Sequence, residues 1–190
     1  TGGRIKEVGE SIDKITKPLL VAGTAGAGAL TAAAKASMDY ETAFTGVKKT
    51  IDGTPEQMAK VNTELKNMSR TIPVSAVDLA HIAQIGGQLG VKANDISKFT
   101  RTIADMGVAT NLAGEEGATT IARFMNVMGE NIDNVDRVGS AIVHLGNNTA
   151  TSEAEIATMA QRLGAYSATL GVSTADTLAY SAAMSSLGIE

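Results

Sequence analysis

The chain has no cysteine. Disulfide frameworks and thiolate metal sites are therefore excluded, and the composition suits a reducing compartment. Tryptophan is also absent, and aromatic residues amount to 3% of the chain. That leaves few rigid aromatic anchors for a ligand pocket. Lysine and arginine never cluster into a run. The 16 basic and 20 acidic residues are interspersed and sum to a net charge of −4, so the electrostatic footprint of a nucleic-acid binder is missing. Nothing near Thr1 has the layout of a signal peptide, because the apolar stretch comes late and follows a charged amphipathic segment. The chain opens without an initiator methionine and closes on Glu190 just after a helical pattern. Both ends read as boundaries within a longer protein.

What is present is apolar but small. Hydrophobic residues make up 44% of the chain, beside 20 glycines, and most of that apolar content is Ala, Val, Ile, Leu and Met. Such side chains favour helices that approach closely. Their spacing sets the fold class. Ile5, Val8, Ile12, Ile15 and Leu19 step by three and four residues, as do Met58, Val61, Leu65, Met68 and Ile72. Ile96, Phe99, Ile103 and Met106 repeat the pattern. Ile156, Met159, Leu163, Tyr166 and Leu170 do so again, and Ile121, Phe124, Met125 and Met128 share one helical face. No comparable stretch alternates with a period of two, so the chain is expected to be all-α.

Boundary signals agree. Thr54-Pro55-Glu56-Gln57 combines a capping hydroxyl, a first-turn proline and a glutamine at the third position. Pro73 ends that helix, and Ser75 with Asp78, as a capping box, opens the next. Gly90, Gly107, Gly129, Gly146, Gly171 and Gly188 each follow an apolar stripe, where a left-handed cap is expected. The pattern predicts helices near 4–16, 18–51, 55–71, 76–89, 94–107, 115–128, 132–145, 153–170 and 174–187. Short connections predict consecutive antiparallel helices in a bundle, with a long N-terminal helix. Domain organisation follows: residues 1–52 as a long, protruding N-terminal segment, and 53–190 as a helical core module.

Within that module one pattern recurs. Leu89-Gly90-Val91, Asp95 and Met106-Gly107-Val108 have counterparts at identical spacing in Leu170-Gly171-Val172, Asp176 and Leu187-Gly188-Ile189. Upstream, Ser75 and Asp78 match Ser152 and Glu155. Residues 75–108 and 152–189 are therefore expected to be related hairpins with Leu89 and Leu170 buried at equivalent places.

Pro18 to Ala34 carries no charge and contains Gly23, Gly26 and Gly28. It is short for a membrane span and diluted by glycine and threonine. A helix–helix contact surface lined by small residues is the favoured reading, with a membrane-active segment as the alternative. Tyr40, Phe44, Val47 and Ile51 form a separate stripe suited to docking the long helix onto the module.

Catalytic chemistry finds no footing. The glycines at 23, 26 and 28 miss the dinucleotide pattern, and no phosphate-binding Gly-Lys-Ser/Thr loop exists. Asp78 and His81 fall on one helical face, as in some metal sites, but Asp78 is claimed by a helix cap. Glu115-Glu116 and Glu153 with Glu155 sit in first helical turns, where the helix dipole favours negative charge. Asn67 and Asn147 match glycosylation acceptors only by chance. No catalytic, cofactor-binding or metal-binding residue is assigned.

The ordered features from Ser37 onward resemble the core region of phage tail tape measure proteins. Carrying the resemblance are Ser37 to Val47, with its aromatic-Glu pair Tyr40-Glu41, then Ala80 to Val91. Asp95-Ile96, Met106 to Thr110 and Gly164 to Gly188 continue it. It covers about four fifths of the chain and departs from the pattern at Tyr40, where Phe is commoner, and in the Thr/Asn-rich turn from Gly146 to Ser152. The resemblance implies a mostly helical structural protein, without catalytic residues, that sets tail length in the tail tube and leaves before the DNA. It implies no cofactor. The implied partners are other tape measure chains, tail-tube and tail-tip proteins and assembly chaperones, with membrane contact during ejection and no specific nucleic acid. The implied location is the virion tail, and the host cytoplasm during assembly.

Overall fold

The computed structural model describes residues 23–112 and 114–189, with side chains from residue 32 onward. The expected helix at 4–16 lies outside the described residues. The chain divides into two compact units, residues 1–41 and 42–190, and the boundary falls within the first described helix.

Among the described residues the protein is all-α, with no strand. We number the helices α1 (Gly23–Thr50), α2 (Pro55–Thr71), α3 (Ala76–Gln88), α4 (Ile96–Ala109), α5 (Gly114–Met128), α6 (Val135–Asn148), α7 (Glu153–Leu170) and α8 (Thr174–Ser186). A short 3₁₀ turn, Ile132–Asn134, leads into α6.

The helices start where local chemistry directs. Thr54 and Gln57 form a full capping box on α2, and Ser152 and Glu155 form another on α7. Ser75 caps α3 differently from expectation. Its hydroxyl accepts the Asp78 N–H at 3.1 Å and donates to the Asp78 carboxylate at 2.6 Å. Aspartate is one methylene shorter than glutamate and bonds the cap's hydroxyl. Glu155 reaches back to the Ser152 N–H at 2.9 Å.

Two expected stops are absent. Gly107 lies inside α4 and Gly146 inside α6, whereas Gly90, Gly129, Gly171 and Gly188 do adopt positive φ. Helix α4 instead ends at Thr110, whose hydroxyl donates to the Met106 carbonyl at 2.8 Å. Helix α6 runs on to Asn148 and Thr149, whose side chains donate to the carbonyls of His144 and Leu145 at 2.7 Å. At Gly146 a side chain would collide with Glu153, which approaches to 2.6 Å of where a Cβ would stand.

The core lies in the unit of residues 42–190. Fully buried Leu65, Leu79, Phe99, Phe124, Ile142 and Ile156 come from six different helices. Sequence neighbours pack together, α2 on α3, α3 on α4, α4 on α5, α6 on α7 and α7 on α8, and so do next-neighbours, α2 on α4, α3 on α5, α4 on α6, α5 on α7 and α6 on α8. Helix α5 leaves its neighbour α6 and packs most extensively on α7. Gly164 makes that approach close, since a Cβ there would stand 3.3 Å from Val127 and 3.5 Å from Phe124. Along α1, the exposed run from Ala32 to Asp39 gives way to buried Tyr40, Ala43, Phe44 and Val47, followed by buried Ile51. The end of α1 rests on α3, with Ile51 and Thr50 filling the space over Gly87.

Candidate interaction surfaces

The polar residues singled out from the sequence are occupied in shaping helix ends. His81 does not face Asp78; its Nδ1 lies 3.1 Å from the Glu115 carboxylate, joining α3 to the first turn of α5. Glu155 is held below the usual carboxylate range by the Ser152 N–H first, and then by the hydroxyls of Thr151 and Ser152. Its neighbour Glu153 lies against Gly146. The carboxylates are therefore not brought together as an acid–base pair. Among the described residues no group of three or more His, Cys, Asp or Glu side chains is placed to hold a metal ion. The Tyr40 hydroxyl is pushed up to about 12, by burial first and then by the charge of Glu41.

A groove of about 670 Å³ lies between α4 and α6. Its floor is Met106, Ala109 and Val143, and Gly139 lets Met106 sit close. The charged rim is internally neutralised. Lys98 reaches Asp136 at 3.6 Å and the Asp133 carbonyl at 2.7 Å, Thr102 bonds Asp136, and Arg101 meets Asp105 at 3.6 Å. Such a groove holds two helices in register and presents no uncompensated charge to a ligand.

The surface that departs from ordinary burial is on the last hairpin. The sequence spaces Ile156, Met159, Leu163, Tyr166 and Leu170 as one stripe, yet the structure covers only its beginning. Ile156 and Met159 are buried and Leu163 is half-buried. Tyr166 and Leu170 are exposed, at 73% and 78%. The expected burial of Leu170 is thus overturned: it stands in solvent while Leu89 is half-buried. On α8 and its cap, Tyr180 and Leu187 are exposed as well, at 59% and 78%. Large apolar side chains concentrated this way mark interaction surface. Periodicity gives the stripe, but which half finds a neighbour is a tertiary matter.

A family model described as phage-related minor tail protein matches residues 62–190. The chain belongs to that family. It is a structural component of a phage tail. Among curated proteins, a probable tape measure protein of Halomonas phage phiHAP-1 is 28% identical over 168 residues, covering 81% of this chain and 19% of the relative. The chain thus spans about a fifth of the length of that minor tail relative. No solved structure matches. No helix among the described residues is long and apolar enough to cross a membrane.

Proposed function

We propose that this chain is a helical module of a tape measure protein, the tail component that sets tail length and occupies the tail tube. The observation that carries the reading is its similarity, over 81% of its length, to a probable tape measure protein. The wholly helical architecture of the described residues supports it. An α-helix rises about 1.5 Å per residue, so a continuous helix converts residue count into length. By that rise α1 spans roughly 42 Å. The unit of residues 42–190 folds back on itself instead, and its residues do not add up along one axis. In this reading it is a folded body carried by the ruler. Its partners are other tape measure chains, tail-tube and tail-tip proteins and assembly chaperones.

The test is in-frame removal of residues 42–190 from the phage gene, with tail lengths measured by electron microscopy. Tails are expected to lose function and to shorten by much less than about 1.5 Å for each residue removed. Shortening by the full amount would show that the segment is extended in the tail. Infectious phage with tails of unchanged length would overturn the tail reading itself.

A further inference from the structure

The repeat is longer than a hairpin. Placing Ser75 over Ser152 also aligns the helices before them. Thr54 caps α2 and Asn131 caps the turn that opens α6. The buried stripe of Met58, Val61 and Leu65 then superposes in sequence on buried Val135, Val138 and Ile142. The packing roles agree, since α2 contacts both α3 and α4, and α6 contacts both α7 and α8. The reversals agree as well: the Val91 N–H donates to the Gly86 carbonyl at 2.9 Å and the Val172 N–H to the Ser167 carbonyl at 2.9 Å. The four extra residues of α7 amount to about one turn and so preserve its face. Residues 54–108 and 131–189 thus share one order of caps, buried stripes and packing partners.

The copies differ in what covers them. In the first, α5 follows the unit and lies along α3, with Glu115 at His81 near one end and the Asn126 amide donating to the Leu89 carbonyl at 2.7 Å near the other. Phe99 and Met106 are buried, Phe99 beside Gly86 of α3 and Met106 against Gly139 of α6, and Ile85 and Leu89 are half-buried. Their counterparts, by the spacing of the Leu-Gly-Val turn, are Tyr180, Leu187, Tyr166 and Leu170. All four are exposed. The same contrast shows in two crevices. One, lined by Asp78, Ala104, Gly107 and Val108, also takes in Gly114, the first residue of α5. The other is lined by Glu155, Ser185, Gly188 and Ile189, the matching positions, and by Arg162.

We infer that the exposed face of the second copy is the seat of a helix that plays the part of α5 and is supplied by the tail polypeptide beyond Glu190. The order of elements argues for this occupant, because the first copy is covered by the helix that directly follows it. The relative's greater length shows that such proteins carry ample further chain. The occupant's chemistry follows from the seat. It is an amphipathic helix with an apolar stripe on Tyr166 and Leu170, and an acidic first turn facing Arg162 as Glu115 faces His81. The inference does not rest on the tail-length reading.

The test compares the 190-residue chain with one continued along its own gene by about 25 residues, enough for a short connection and a helix. Nitration of the three tyrosines is followed by peptide mass spectrometry. Tyr166 and Tyr180 are expected to react readily in the shorter chain and about tenfold or more slowly in the longer one. Buried Tyr40 serves as the slow internal standard. Leu170→Glu is expected to leave the denaturation midpoint of the shorter chain unchanged and to lower that of the longer one. If the continued chain aggregates, the same segment added as a synthetic peptide gives the same readout. Unchanged tyrosine reactivity, or a reading frame that stops at Glu190, would overturn the inference. So would concentration-dependent protection of Tyr166 and Tyr180 in the 190-residue chain alone, which would assign the face to a second copy.

Discussion

Replacing Phe124 with alanine removes one of three phenylalanines in the chain, at the point where α5 meets α7. The side chain is 1% exposed, and its ring lies 3.5 Å from where a Cβ on Gly164 would stand. Glycine at that position has no side chain to move into the space left behind, so the cavity closes poorly. Truncating a buried phenylalanine costs about 3–5 kcal/mol. Against a total stability of about 5–15 kcal/mol, that is a large fraction. For a unit of this size it lowers Tm by roughly 6–20 °C. Urea unfolding followed by far-ultraviolet circular dichroism suits a protein without tryptophan, and the denaturant slope should stay constant while the midpoint falls. The exposed Tyr166→Ala serves as control and should change stability by less than about 0.5 kcal/mol. Gly164→Ala is expected to cost less in the Phe124→Ala background than in the parent, because the two sites share one contact. A loss below about 1 kcal/mol for Phe124→Ala would refute the packing argument.

Gly86→Ala should destabilise by about 1–3 kcal/mol despite alanine's better helix propensity, because a Cβ there would come within 2.8 Å of the Phe99 ring. A neutral or raised denaturation midpoint would show that Phe99 can shift aside. The Ser152 N–H holds the Glu155 carboxyl below the usual carboxylate range, so its charged form favours the folded state. That contribution is complete above the unfolded-state value and is lost as pH falls through the lowered folded-state value. Glu155→Gln should accordingly reduce stability at neutral pH, with the difference vanishing in acid; a difference that persists unchanged in acid would exclude the carboxylate cap as its source. Removing residues 1–36 is expected to leave the unit of residues 42–190 folded and monomeric, while the full chain sediments as an oligomer through the apolar stripe from Ile5 to Leu19 and the uncharged stretch from Pro18 to Ala34. A monomeric full chain that unfolds on truncation would make that segment part of the core.

How much of this was legible beforehand depends on the range of the interaction. Helix starts are decided within four residues. Thr54 with Gln57 and Ser152 with Glu155 close their capping boxes whatever surrounds them, so the sequence alone placed α2 and α7 and carried the all-α class. The buried faces of α2 and α4 follow from three-four spacing for the same reason. Helices α4 and α6 run past Gly107 and Gly146, where the sequence predicts their ends. A glycine is permissive and not compulsory, and the side chains of Thr110, Asn148 and Thr149 offered the last turns a better ending downstream.

The exposed face of the last hairpin was the least legible. Ile156 through Leu170 is one uninterrupted stripe in the sequence, and nothing in it distinguishes Met159, which is buried, from Leu170, which is not. Local pattern determined that α7 has an apolar face and that Gly171 ends it. The tertiary structure alone decided that α5 passes over its neighbour α6 to pack on α7, and that the last hairpin keeps an open side. The reason is physical: a helix's amphipathicity is a property of its own residues, whereas burial is a property of whichever other helix arrives to share it.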